Sequence, residues 1–122
     1  MSDKYNLTTA EERLADILWQ SAPISSPALV ELAWTHLGWK KSTTYTVLKR
    51  LIEKGIFAND NAQVRVVLTR EELIAFQSRQ FVKSSFGGSL PGFIASFFGG
   101  KKLSAKEAEE LKRLIDEHRE GS

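Results

Sequence analysis

The chain has 122 residues, which suits one domain or a small domain with an appendage, and a formal net charge of +2 at pH 7. Its hydrophobic fraction of 42% is that of a folded protein. Its sequence contains no cysteine, which excludes disulfides, thiolate metal sites and cysteine nucleophiles. It also shows no signal-peptide pattern and no apolar run of the roughly 20 residues that a spanning helix needs, so we expect a cytoplasmic protein with no membrane partner.

The first predicted helix begins with a capping pair. Thr8 and Glu11 have the spacing at which each side chain accepts a hydrogen bond from the other residue's backbone N–H. Apolar residues then follow at helical intervals. Pro23 ends the helix at or before Ala22, because the residue ahead of a proline avoids the helical conformation.

A second helix is predicted to follow within a few residues. Ser26 is a suitable N-cap, and Pro27 fits the first helical position, where its missing N–H costs nothing. Gly38 ends this helix. The residues predicted to face the core are Val30, Ala33, Trp34 and Leu37, and Trp34 and Trp39 are predicted to be core anchors.

The third predicted helix, from about Lys41 to Lys54, has two contrasting faces. One is a narrow apolar seam, and the other carries hydroxyl and basic side chains. The positive charge of the chain is concentrated here, since residues 39–54 contain five Lys or Arg and one Glu. A short connection between two helices, the second of which has such faces, is typical of a helix-turn-helix. The seam consists of Thr44, Val47, Leu48 and Leu51.

This helix supplies the candidate DNA-binding residues. Its N-terminal end is the end that enters the major groove in helix-turn-helix proteins, where threonine can contact base edges and thymine methyl groups. We predict base reading by Thr43, Thr44 and Thr46. Phosphate contacts are predicted for Lys40, Lys41, Ser42, Lys49 and Arg50, with help from the free N–H groups at the helix start.

Three of these side chains have structural alternatives. Thr44 also lies on the apolar seam. Arg50 alternatively pairs with a carboxylate such as Glu53 or Glu12. Tyr45 either contacts DNA or packs at the edge of the domain.

The sequence period changes after Gly55. Asn59, Asp60 and Asn61 form a turn-favouring cluster, and the segment QVRVVL that follows favours a strand. Two short strands after a helix-turn-helix make a winged helix, which we predict over residues 1–70. Because Asp60 at the wing tip would be repelled by a nearby phosphate, we do not expect strong DNA contacts from the wing.

Three more helices are predicted beyond the wing. A second capping pair, Thr69 with Glu72, opens a fourth helix. Two Gly-Gly pairs bracket a short apolar helix over roughly residues 90–98, and a third capping pair opens a last helix at Ser104. The predicted fold class is therefore mostly α with a small β-hairpin (α+β).

Residues 71–122 are predicted to be a helical dimerisation region. Small helices with this much apolar surface cannot hide it from water by themselves. The alternative is an intramolecular core. The predicted dimerisation residues are Phe93, Ile94, Phe97, Phe98, Leu111, Leu114 and Ile115.

Taken together, these features resemble the penicillinase-repressor family of transcriptional regulators. The resemblance covers about residues 5 to 118. It rests on the segment LTTAEERLADILW, on the C-terminal EELKRLI, and on a string in which Trp39, Thr43 and Thr46 precede Arg50-Leu51-x-x-Lys54-Gly55 at fixed offsets. It implies a homodimer in which each winged helix reads half of a palindromic operator in double-stranded DNA.

The resemblance also implies ways of switching the repressor. One branch of the family controls β-lactam resistance, and a regulatory protease inactivates it at an Asn-Phe bond ahead of the final helix. The matching position here, a possible cleavage site, is Ser96-Phe97, where the asparagine is absent. A copper-responsive branch uses a C-terminal cysteine motif, which this sequence lacks.

Other classes of function fit the sequence less well. A winged-helix protein-interaction adaptor with weak or no specific DNA binding is the alternative function, because a fold does not fix a function. An enzyme is not predicted, since the sequence shows no nucleophile–base pair and no phosphate-cradling loop. His36 and His118 are single histidines without ligand partners at metal spacing, so neither a metal nor a cofactor is expected.

Overall fold

The computed structural model describes residues 5–121 of the chain. The elements in chain order are α1 (Thr9–Ser21), β1 (Ile24–Ser25), α2 (Ser26–Leu37), α3 (Lys41–Glu53), β2 (Phe57–Asp60), β3 (Gln63–Val66), α4 (Arg70–Phe86), α5 (Leu90–Phe98) and α6 (Ala105–His118). The chain divides into two compact units between Gln80 and Phe81. Within the described residues, no helix is both long enough and apolar enough to cross a membrane.

The division between the units lies ten residues beyond the predicted boundary at residue 70. The reason is that the first half of α4 packs on the first unit. Leu73 is buried in the core of that unit, and the ring of Phe76 meets Tyr5 edge-on at 4.7 Å between centroids. Gln77 Nε2 also donates to the carbonyl of Tyr5 at 2.8 Å.

The helix starts agree closely with the sequence. The predicted capping pairs are all present, namely Thr8 with Glu11, Thr69 with Glu72, and Ser104 with Glu107. The start of α2 differs by one residue, because Ser25 is its N-cap and accepts from the Ala28 N–H at 3.2 Å. Ser26, the predicted N-cap, is instead buried in the first turn.

Helices α1, α2 and α3, the small sheet and the first half of α4 enclose the core of the first unit. Each helix contributes one apolar stripe, and the seam predicted for α3 is confirmed, since all four of its residues are buried. Burying a large apolar side chain contributes about 1.5–3 kcal/mol, so this core is the main source of stability. The core residues are Leu14, Ala15, Leu18, Leu29, Ala33, Val47, Leu48, Leu51, Ile56, Phe57, Val64 and Leu73.

The buried stripe of α2 differs from the prediction. Leu29 and Ala33 are fully buried, whereas 62% of Trp34 is exposed, so the prediction that Trp34 is a core anchor is wrong. At 3.6 residues per turn, Trp34 lies about a quarter turn away from the line through Ser26 and Ala33. Its side chain therefore points away from the core.

Trp19 and Trp39 are the tryptophans that pack against the core. The indole Nε1 of Trp19 donates to the carbonyl of Leu68 at 3.0 Å, and its ring lies 5.6 Å from that of Phe57. Trp39 is half-buried beside the same core, as predicted. The indole N–H of Trp19 thus keeps a hydrogen-bond partner although the ring is partly buried.

The wing belongs to a three-stranded antiparallel sheet in the order β1-β3-β2. The sequence predicted only the hairpin, and β1 is added by pairing of Ile24 with Val64. Asp60 pairs with Gln63, so the turn consists of Asn61 and Ala62, both with positive φ. The turn thus lies beyond Asn59 and Asp60, which the prediction included and which continue β2.

The second unit has a small aromatic cluster and no fully buried residue between positions 81 and 121. Its α5 has the predicted bounds. Neighbouring rings meet at centroid distances of 5.5–6.2 Å, mostly edge-on, and the cluster consists of Phe81, Phe86, Phe93 and Phe97. Several large apolar side chains of this unit remain exposed, namely Phe81, Leu90, Phe97, Leu114 and Ile115.

Candidate nucleic-acid interface

The start of α3 differs from the starts of the neighbouring helices. Lys40 is its N-cap and makes no side-chain hydrogen bond to the helix, and the first turn has no acidic residue. In α1, α2, α5 and α6, a serine or threonine hydroxyl accepts from a first-turn N–H. The first-turn N–H groups of α3 are therefore open to an outside acceptor, and the helix dipole adds partial positive charge there.

The exposed face of α3 carries only hydroxyl and basic side chains near this start. Its exposed residues up to position 50 are Lys41, Ser42, Thr43, Thr46, Lys49 and Arg50, with Lys40 just ahead, and the acidic Glu53 is exposed one turn further along the helix. None of the four lysines and arginines from 40 to 50 forms an ion pair within the described part of the chain. These charges are therefore available to an anionic partner.

The three candidate threonines have different environments. Thr43 is exposed, and its hydroxyl makes no hydrogen bond within residues 5–121. Thr46 is also exposed, and its Oγ1 donates to the carbonyl of Ser42 at 2.9 Å, which leaves its lone pairs free to accept. Thr44 is fully buried and donates to the carbonyl of Lys40 at 3.2 Å. Thr44 therefore belongs to the apolar seam, as the structural alternative predicted. It is not part of the exposed face of α3 that could contact bases.

Tyr45 packs at the edge of the first unit. Its ring is half-buried against the core, and its hydroxyl lies 3.5 Å from Ser26 Oγ at the start of α2. The ammonium of Lys41 lies 6.0 Å from the ring centroid. Tyr45 thus ties α3 to α2, as the packing alternative predicted.

Arg50 forms no ion pair with Glu53 or Glu12, the alternatives considered from the sequence. Its charge instead acts on Glu11, which is only 2% exposed. Burial raises the pKa of Glu11, but hydrogen bonds from Lys54 and from the Thr8 N–H, with the charges of Lys54 and Arg50, outweigh it and leave the pKa below 4.5. Arg50 keeps its exposed guanidinium for an outside partner.

The wing carries a cation that sequence reasoning missed. Arg65 Nε lies 2.6 Å from Asp60 Oδ2, so the negative charge of Asp60 is offset. The expectation that the wing makes no strong DNA contacts stays a prediction. The alternation of Val64, Arg65 and Val66 places Arg65 on the outer face and was the available signal. The turn is held in place by the Ser26 N–H, which donates to the Ala62 carbonyl at 2.8 Å.

The described residues contain no group of three or more His, Asp and Glu side chains arranged to hold a metal ion. His118 Nδ1 lies 2.8 Å from the carbonyl of Leu114 in its own helix. His36 is exposed in the last turn of α2.

A family model described as the penicillinase repressor matches residues 7–117. The chain belongs to the penicillinase repressor family. The penicillinase repressor of Bacillus licheniformis is 25% identical over 118 residues, which cover 93% of this chain and 91% of that protein. The methicillin resistance regulatory proteins MecI of Mammaliicoccus sciuri and of Staphylococcus aureus (strain N315) are each 25% identical over 116 residues, or 92% of this chain and 94% of theirs.

Membership of the penicillinase repressor family supports a role in transcriptional repression rather than in catalysis. The match runs through both units, so it includes α5 and most of α6. The bond between Ser96 and Phe97 lies near the end of α5, two residues ahead of Gly99 with its φ of +40°. Phe97 is 64% exposed, but the bond itself is helical.

Proposed function

We propose that this chain is a homodimeric, sequence-specific transcriptional repressor that binds a palindromic operator through α3. The observation that carries the proposal is the start of α3, which combines uncapped N–H groups with an exposed face of hydroxyls and unpaired cations. DNA presents phosphate oxygens that can accept from the N–H groups and cations of this face, and base edges with which its hydroxyls can form hydrogen bonds. An operator-bound repressor acts in the cytoplasm, beside the chromosome.

Different side chains of α3 have different roles in this proposal. Thr43 and Thr46 read base edges, because they are exposed near the end that enters the major groove. Ser42 and the first-turn N–H groups hold a phosphate. The side chains that position the helix by phosphate contacts are Lys40, Lys41, Lys49 and Arg50.

The second unit joins two chains in the proposed repressor. No residue from 81 to 121 is fully buried, and large apolar side chains of α5 and α6 stay exposed. Covering them with a second copy removes this surface from water at about 25 cal/mol per Å². The proposed interface residues are Phe93, Ile94, Phe97, Phe98, Leu111, Leu114 and Ile115.

We also propose that the repressor controls genes of the antibiotic-resistance type and that a protease relieves it at Ser96-Phe97. The names of the penicillinase and methicillin-resistance relatives support the class of genes. The exposed Phe97 offers a side chain to a protease, although α5 must unwind there first. Mass spectrometry of the protein recovered from cells treated with a β-lactam tests this. A fragment ending at Ser96 supports it, and an intact chain from derepressed cells contradicts it.

Footprinting of the protein on DNA upstream of its own gene tests the main proposal. We expect a protected palindrome whose half-site centres lie about 34 Å, or a multiple of that, apart. Titration of random duplex at two salt concentrations separates the adaptor alternative. A repressor loses roughly 10³–10⁵ in affinity between 50 and 200 mM salt if it makes 6–10 phosphate contacts, whereas an adaptor shows weak binding and a shallow slope.

A further inference from the structure

Trp34 is a large apolar side chain that the fold leaves in water. It lies in the last turn of α2, where its carbonyl accepts from the Gly38 N–H at 3.0 Å, and 62% of its surface is exposed. Within residues 5–121 its indole N–H has no hydrogen-bond partner, whereas that of Trp19 is bonded to the carbonyl of Leu68. Tryptophan is enriched at interfaces, because one flat side chain offers both apolar area and a donor.

The surroundings of Trp34 connect it to the start of α3. It lines an open cleft of about 370 Å³ with Lys41, the first residue of α3. Lys40 and Lys41 are exposed beside this cleft and form no ion pair within the described residues. The other lining residues are Val30, Glu31, Thr35 and Trp39.

We propose that Trp34 packs on the sugar–phosphate backbone of DNA beside the start of α3. The proposal rests on the DNA-binding function proposed above and adds a contact that the charges of α3 do not supply. The flat ring covers the apolar side of a deoxyribose, and the indole N–H donates to a phosphate oxygen next to the one held by Lys41. Both groups are the same in every nucleotide, so the contact adds affinity without sequence information.

The unpaired charge of Lys41 and continuity with the start of α3 favour the DNA backbone as the occupant of this cleft. The N-terminal end of α3 enters the groove, so side chains that flank this end face the strand at the groove edge. Glu31 also lines the cleft, and its carboxylate repels a phosphate at close range. Glu31→Gln is therefore expected to strengthen binding to any duplex two- to fivefold.

Binding of Trp34→Ala to operator and to random duplex over a range of salt concentrations tests the proposal. We expect a loss of about tenfold on both duplexes, as for one partly buried aromatic side chain. The salt dependence should keep its slope, because tryptophan carries no charge, whereas Lys41→Gln should lower the slope by about one. Trp34→Phe should recover part of the affinity, since it keeps a ring but not the N–H.

A fluorescence measurement locates the side chain in the complex. Operator DNA should shift the emission of the wild-type protein and protect it from acrylamide, and both effects should largely disappear in Trp34→Phe. Val67→Ala, which truncates a half-exposed apolar residue at the base of the wing, is the matched control and should bind as wild type. A thermal melt confirms that each variant is folded.

The possible results separate this proposal from the function on which it rests. Wild-type protein that fails to bind any duplex overturns both. Specific binding that Trp34→Ala leaves unchanged, or an indole equally quenched with and without DNA, overturns the Trp34 contact alone. A loss confined to the operator also contradicts it, because it would assign base reading to Trp34.

Discussion

The ammonium of Lys54 lies 2.5 Å from the carboxylate of Glu11, which joins the C-terminal end of α3 to the first turn of α1. Glu11 also completes the capping box with Thr8, and Lys54 Nζ donates to the carbonyl of Asn6 at 2.8 Å. The side chain of Glu11 is almost fully buried, whereas that of Lys54 is 23% exposed. This pair fixes the end of α3 against the helix on which α3 packs.

Removing the ammonium should therefore destabilise the first unit. Lys54→Met leaves the Glu11 carboxylate buried with fewer partners, and we expect a loss of roughly 2–3 kcal/mol in the free energy of unfolding. Urea denaturation measures this loss. Lys49→Met, the same change at an exposed position of the same helix, should stay within about 0.5 kcal/mol of wild type. Equal losses for the two variants would show that the ion pair between Lys54 and Glu11 does not add to the stability of the fold.

The lowered pKa of Glu11 predicts how stability depends on pH. The ionised carboxylate stabilises the fold above its unfolded value near 4.5, and this contribution is lost as the pH falls through the lower pKa of the folded protein. Glu11→Gln should be less stable than wild type at pH 7, and the difference should shrink below about pH 4.5. Unfolding curves from pH 7 to pH 3 measure it. A difference that is constant over this range would contradict an ionic role.

The two environments of the threonines predict separate effects on operator binding. Thr46→Ala should weaken specific binding by about 1–3 kcal/mol and leave random DNA nearly unaffected. Thr44→Val keeps the buried shape and removes the hydroxyl, so it should alter stability rather than specificity. Fluorescence anisotropy with operator and random duplexes measures both variants. If Thr44→Val lost specificity and Thr46→Ala did not, the assignment of the two faces would be reversed.

The exposed apolar residues of α6 predict the effect of a charge in the proposed dimer interface. Ile115 is 56% exposed, so Ile115→Glu should leave the first unit folded and shift the protein to monomers. Operator affinity should then fall by about 10²-fold or more, because two linked half-site readers reinforce each other through effective concentration. Sedimentation equilibrium and operator titration give the two readouts. Lys112→Glu changes the charge at an exposed position of the same helix and should remain dimeric, whereas a dimeric Ile115→Glu would exclude this face as the interface.

The features that could be predicted from the sequence depend on neighbours along the chain. The capping pairs are three residues apart, and the seam of α3 repeats at helical spacing, so local geometry determines both. Helical spacing also placed Thr46 on the side of α3 opposite the seam, where the structure shows it exposed.

The features that were missed depend on packing between distant segments. Glu11 and Lys54 are 43 residues apart, and β1 exists only because β3 lies beside it. Trp34 shows the limit of helical periodicity, because it sits at the edge of the apolar stripe and the choice between core and water depends on neighbouring helices. The pairing of Arg65 with Asp60 was missed, since it depends on the register of the hairpin.

Because no residue from 81 to 121 is fully buried, repression should depend steeply on the concentration of the protein in the cell. In the proposed dimer, this unit acquires an interior only from a second copy, so folding of the unit and assembly are one equilibrium. When most chains are single, halving the total concentration lowers the dimer concentration about fourfold by mass action. Repression would then respond to synthesis and dilution more steeply than it would for a monomeric reader, and cell growth alone would begin to release the operator once synthesis stopped.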